Sequence, residues 1–211
     1  MPRIRTRRKP RPTSPDVKLI AGLGNPGKAY VQTPHNIGAN VVRELCNRLQ
    51  SRLRRSWRFK ARTGDATWQG ESLLLVEPLT FMNLSGNAVG AAMRYRKLTP
   101  HDLVVVLDDV DLELGRIRIK PSGGTGGHRG LGSVVDHLGT DAFLRVRVGV
   151  GRHAKRDVVE HVLRPFGKEE LSLAKVMIRH SADAVLRIID SGHDAAMNAY
   201  NGTMFDAGDA D

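Results

Sequence analysis

One stretch near the start limits the architecture more than any other. Val17-Lys18-Leu19-Ile20-Ala21-Gly22-Leu23 is an apolar run of strand length. It passes into a glycine-rich turn, Gly22-Leu23-Gly24-Asn25-Pro26-Gly27, and from Ile37 the apolar positions Ile37, Val41, Val42, Leu45 and Leu49 recur at helical spacing. A strand, a tight turn and a helix are the opening unit of an α/β layer structure. The alternation continues downstream. Residues 72–76, 103–107 and 144–150 read as strands. Residues 85–97, 131–138, 155–163 and 168–190 read as helices, with a further helical pattern over 193–201.

Some strands are too close in sequence for helical crossovers. Residues 59–63 and 66–69 read as a hairpin turned at Gly64-Asp65, and 115–119 as a short strand. The expected fold class is therefore α/β: a single domain with a twisted mixed sheet, mostly parallel, flanked by helices. Arg116, Arg118 and Lys120 alternate and so share one face. Arg145 and Arg147 fall opposite the valines of their strand, as a solvated face would.

Charge divides the chain. The net charge is +11, a field that favours polyanions. Residues 1–15 carry Arg3, Arg5, Arg7, Arg8, Lys9 and Arg11 with no acid, and four prolines that oppose a helix. We read 1–15 as a disordered basic arm, 16–205 as the α/β domain and 206–211 as a frayed tail. The prolines argue against the amphipathic helix of an organelle transit peptide. Subtracting the six arm cations from +11 leaves +5, so the basic bias is not only a tail effect. No run of eighteen apolar residues suggests a membrane span, and no apolar segment follows Met1. The single cysteine, Cys46, falls on a helix and fits a reducing compartment, so the expected location is the cytoplasm.

The glycine turn matches the dinucleotide fingerprint G-x-G-x-x-G, with Glu44 about twenty residues on. That reading requires the turn to open straight into a helix. Here Thr33-Pro34-His35 intervenes, Glu44 falls inside the helical pattern, and Pro26 lacks an amide proton. No Gly-Lys-Ser/Thr follows to make a P-loop. Another reading joins two strand ends. If 17–23 and 103–107 are parallel neighbours, their carboxyl ends share one edge, and Asp108 can approach His35. A carboxylate fixes an imidazole's tautomer and leaves its other nitrogen to take a proton from water.

Metal and triad chemistry are weaker alternatives. Asp108, Asp109, Asp111, His35 and His128 offer ligand atoms, but no H-E-x-x-H, cysteine pair or EF-hand spacing is present. Gly-x-Ser-x-Gly is absent, and Ser85 reads as a helix-start residue. The loop Ser122-Gly123-Gly124-Thr125-Gly126-Gly127-His128-Arg129-Gly130 lies between Lys120 and a helix, as a lid or phosphate-holding loop would.

Five motifs in order resemble the bacterial peptidyl-tRNA hydrolase family over residues 17–201. They are Gly-Leu-Gly-Asn-Pro-Gly; Tyr30, Thr33 and His35-Asn36-x-Gly38; Phe81-Met82-Asn83-x-Ser85-Gly86; Asp108-Asp109-x-Asp111-x-x-x-Gly115; and Gly126-Gly127-His128-x-Gly130. The resemblance implies a monomeric, metal-independent and cofactor-free hydrolase in translation that cleaves the ester between a peptide and the 3′ end of tRNA. By the same resemblance His35 is the general base and Asp108 orients and polarises it. Asn25 and Asn83 hold the peptide and the tRNA end, with Tyr30 and Phe81 beside them. His128 and the glycine loop gate the cleft, and Arg118, Lys120 and Arg147 clamp tRNA phosphate. The sequence departs from the pattern twice. Arg129 stands where many members have asparagine, adding a phosphate contact, and Pro34 where arginine usually precedes the histidine. A non-catalytic RNA-binding protein on the same fold is the rival reading; the intact Asn25, His35, Asn83 and Asp108 speak against it.

Overall fold

In the computed structural model, residues 17–152 and 157–209 are described. The basic arm, residues 153–156 and the last two residues lie outside them. Strand β1 (Val17–Gly22) leads through short helical turns into α1 (Ile37–Arg48). Then come β2 (Arg54–Ser56), β3 (Ala61–Trp68), β4 (Glu71–Pro78) and α2 (Ser85–Arg96). β5 (Leu103–Asp109), β6 (Ile117–Lys120), α3 (Arg129–Leu138) and β7 (Leu144–Gly149) follow. α4 (Val158–Leu163) and α5 (Lys168–Tyr200) end the ordered elements, α5 being kinked at Gly192, whose φ is 82°.

The strands form one sheet in the order β2-β3-β4-β1-β5-β7-β6. β4, β1, β5 and β7 are parallel, whereas β2, β3 and β6 run antiparallel to their neighbours. The expected neighbours, β1 and β5, pair directly: Leu19 with Leu103, Gly22 with Val106. This is the expected mixed, mostly parallel α/β sheet.

Alternation along the strands supplies two cores. Ile20, Val104, Val106, Val146 and Val148 face α1 and α5, where Val41, Leu45, Met177 and Val185 meet them. Leu19, Ala21, Val105 and Leu107 face α2 and α3, against Val89 and Val134. A period of two on the strands thus serves both faces, because helices cover both.

Two expectations need correction. Gly64 does not turn a hairpin: β3 runs through it, and the reversal comes at Gln69-Gly70, both with positive φ. A Cβ on Gly64 would lie 3.0 Å from Ser51 Oγ and 3.1 Å from Arg52 O. The glycine accommodates a close chain approach, which in sequence looks the same as a turn. Nor is Arg145 solvated. It is 0% exposed, its guanidinium donating to Gly123 O (2.5 Å) and Asp141 O (2.6 Å) and lying 4.6 Å from the Phe143 ring centroid. Loop segments fold over that face of β7 and turn its arginine into an internal strut.

Candidate active site

Both catalytic candidates stand where parallel strands end. β1 stops at Gly22, and the chain crosses through a turn at 28–30 to Thr33-Pro34-His35. Pro34 occupies the first position of a short 3-10 turn, where a missing amide proton is harmless. The departure from arginine is therefore structurally suited to its place. β5 carries Asp108 and Asp109 as its final residues, both buried.

His35 Nδ1 lies 2.9 and 3.1 Å from the two oxygens of Asp108. His128 Nε2 reaches Asp108 Oδ1 at 2.9 Å from the other side. The two rings are 4.9 Å apart. Burial alone would push the Asp108 carboxyl up. Attraction to His128 and His35, with a hydrogen bond from each, outweighs burial and holds it well below the usual carboxylate range. An ionised carboxylate only accepts, so both imidazoles donate to it.

The remaining ring nitrogens differ. His128 Nδ1 accepts the backbone N–H groups of Gly130 and Leu131, each at 3.1 Å, capping α3. Its tautomer is thereby fixed: the proton is on Nε2, aimed at Asp108. His35 Nε2 has no hydrogen-bond partner among the described residues and is free to take a proton from water. Nδ1 and Nε2 of the two rings and the carboxylate lie within 4.8 Å, close enough for a metal. Their mutual hydrogen bonds, however, already occupy His35 Nδ1 and His128 Nε2.

Asn25 is oriented just as definitely. Its Oδ1 accepts Met82 N–H at 2.9 Å, which turns its Nδ2 donors outward. Asn36, buried beneath, accepts Asn25 N–H and donates to Asn25 O, both at 2.9 Å. The glycines of this region serve close packing. A Cβ on Gly22 would lie 2.1 Å from Gly38 O, and one on Gly38 would lie 2.2 Å from Val106 O. They let α1 pack against the sheet. Of the glycines in the turn after β1, Gly27 is the one at positive φ, 115°.

Asn25, Tyr30, His35, Phe81, Asn83 and Arg129 line one recess. Asp108, Asp109, Thr125, Gly126, His128 and Arg147 line a second, with His35 in both. Phe81 is 61% exposed. Arg129 stands at the start of α3. Arg147 is largely enclosed, donating to Asp109 Oδ2 (2.9 Å) and Thr125 O (3.0 Å). Arg118 pairs with Arg147 in register but, like Lys120, stands exposed on β6 outside both recesses.

A family model described as peptidyl-tRNA hydrolase matches residues 19–207. A peptidyl-tRNA hydrolase of Syntrophomonas wolfei is 46% identical over 185 residues, covering 88% of this chain and all of its own. One from Clostridium novyi is 39% identical over 184 residues, 87% of this chain and 97% of that one. The chain belongs to the peptidyl-tRNA hydrolase family. The crystal structure of the Acinetobacter baumannii peptidyl-tRNA hydrolase superposes with a TM-score of 0.84 at 34% identity. It covers 91% of this chain and 98% of that one. The fold is therefore the family's.

Sequence reasoning assigned no role to Asn36, Met82 or α4. Asn36 adjoins His35 in the motif, and Met82 adjoins Asn83, so sequence adjacency was a usable signal. Val158 and Val162, on α4, line both recesses. Nothing in a short apolar helix says which cleft it walls.

Proposed function

We propose that this chain hydrolyses the ester joining a peptide to the 3′ end of tRNA, returning tRNA from stalled or aborted translation. The observation that carries the reading is the His35–Asp108 pair at the adjoining ends of β1 and β5, with the Asn25 amide in the same recess. Asp108 holds the proton on His35 Nδ1. His35 Nε2 takes a proton from water as that water attacks the ester carbonyl. Negative charge gathers on the carbonyl oxygen, and Asn25 Nδ2 is the donor that meets it. When the tetrahedral intermediate collapses, the imidazolium returns its proton to the departing ribose oxygen. Atoms and charge balance with one water and no covalent enzyme intermediate.

Recognition follows from the lining. Asn25 and Asn83 offer neutral amides, suited to a peptide backbone. A free aminoacyl-tRNA carries an ammonium instead, which no carboxylate on that recess attracts. Phe81 and Tyr30 suit the terminal adenine. Exposed Arg118 and Lys120 serve the tRNA backbone, and Arg129 adds a cation at the lip. Arg147 holds the Gly124–Thr125 backbone and Asp109, so its part in clamping phosphate requires it to leave those bonds. We place the enzyme in the cytoplasm as a monomer without a metal. No helix among the described residues is long and apolar enough to cross a membrane.

Release of N-acetylated amino acid from acyl-tRNA tests the proposal. His35→Ala is expected to lower kcat at least a thousandfold while substrate binding stays within a few-fold, and activity of the parent survives chelator. An unchanged rate in His35→Ala refutes the base; loss with chelator refutes metal independence.

A further inference from the structure

The cationic run that precedes β3 takes no part in the cleft. Of the eleven positions 52–62, six are Arg52, Arg54, Arg55, Arg58, Lys60 and Arg62, and none is Asp or Glu. They run from just before β2, through it and the turn, to the second residue of β3, at the free edge of the sheet, opposite the β6 edge. Trp57 heads that turn and is 77% exposed. Arg55 lies over its ring at 4.0 Å. On the adjoining end of α2, exposed Tyr95 carries Arg58 over its ring at 4.9 Å. Arg62 is held by Glu77, and the neighbouring Arg96 of α2 by Asp65. Arg54, Arg55, Arg58 and Lys60 have no carboxylate partner among the described residues.

Charge on an edge strand has an ordinary use: it discourages pairing with another chain's edge. That accounts for the arginines of β2. It does not account for an indole left in water with a guanidinium on one face and its other face open. Alternating cations and open aromatic rings are what single-stranded nucleic acid uses. Phosphates meet the cations, and bases stack on rings whatever their identity, at roughly five- to hundredfold in affinity per base.

Position supports the assignment. Ala61 pairs with Pro78 at the end of β4, and Leu79 N–H donates to Lys60 O at 2.8 Å. The 57–60 turn is therefore at the sheet end that carries the cleft, beside the segment that leads into Phe81. It lies on the other flank from Arg118 and Lys120.

We propose that the β2 edge and the 57–60 turn form a second RNA surface, specific for single-stranded RNA and separate from the β6–β7 cations. The probe is a ten-nucleotide oligouridylate titrated into the full-length protein, read by tryptophan fluorescence. Trp68 is half-buried against the core, so Trp57 is the reporter. Saturable quenching is expected. Trp57→Ala should abolish most of it and weaken binding, followed by competition with labelled oligouridylate, about tenfold; Trp57→Phe should restore most of the affinity. Replacing Arg54, Arg55 and Arg58 together by Ala should lower the salt slope by about 2, near 0.7 for each phosphate left without its cation. Hydrolysis of acyl-tRNA by these variants stays within twofold, which separates this surface from the active site. Three results would overturn the proposal: no quenching in the parent, equal affinity of the Trp57→Ala protein, or duplex RNA of the same length binding as tightly. Any of them returns the cations to guarding an edge.

Discussion

His128→Asn separates two functions that one imidazole combines. Asparagine is among the best helix N-caps, so its side-chain oxygen can still accept the Gly130 and Leu131 N–H groups, at a change of a few tenths of a kcal/mol. Its side chain is too short to reach Asp108, 2.9 Å beyond the far ring nitrogen. The variant therefore deletes one hydrogen bond to a buried carboxylate and little else. Such a bond contributes about 1.5–3 kcal/mol. For a domain of this size each kcal/mol moves Tm by about 2–4 °C, so Tm should fall by roughly 3–12 °C. Asp108 then keeps His35 as its single side-chain donor and can rotate away from the ring plane. If about 1.4 kcal/mol of the lost bond is expressed in the transition state, kcat falls about tenfold, with KM nearly unchanged. The assay is acyl-tRNA hydrolysis beside a thermal melt, repeated in an Asp108→Asn background. If His128 acts through the carboxylate, its substitution costs much less there. Equal losses in kcat in both backgrounds would refute the reasoning.

Arg145→Ala should destabilise by about 3 kcal/mol or more, because it removes two charge-assisted bonds to carbonyls and leaves a void over Phe143; denaturant titration measures it, and a loss under about 1 kcal/mol would contradict the strut. Gly22→Ala and Gly38→Ala place a methyl 2.1–2.2 Å from a carbonyl oxygen and should yield little folded protein, whereas Gly64→Ala, with its nearest neighbour at 3.0 Å, should fold; soluble yield and circular dichroism decide. Because the folded Asp108 carboxyl titrates below its unfolded value, its contribution to stability is complete above about pH 4 and is lost as pH falls below that. Asp108→Asn should therefore unfold less steeply in acid than the parent, and superimposable acid titrations would sink that linkage.

The meeting of His35 and Asp108 could be read from sequence because it depends on strand polarity alone. Parallel neighbours end at one edge; Asp108 closes β5, and His35 lies on the connection that leaves the same end of β1. Arg145 could not be read that way. A period of two says that its side chain leaves one face of β7, but not that the backbone at Gly123 and Asp141 closes over that face. Gly64 misled for a related reason, since a turn and a close approach both remove Cβ. Gly22 makes the same point, since the atom that a Cβ there would strike is Gly38 O of the protein itself.

His128 shows how far such reading extends. The motif marks it, but its chemistry arises from three elements meeting. β5 supplies the carboxylate, α3 supplies two amide protons, and the loop between β6 and α3 sets the ring across them. The amides of α3 decide which nitrogen is protonated, and that nitrogen constrains Asp108. Asp108 in turn holds the His35 proton on Nδ1 and leaves Nε2 with its lone pair. The tautomer of His35 is thus set through a hydrogen-bonded chain that starts at the amino end of α3, well beyond the strand in sequence. Local pattern can locate each link, but the direction of every proton along the chain comes from the packing that joins them.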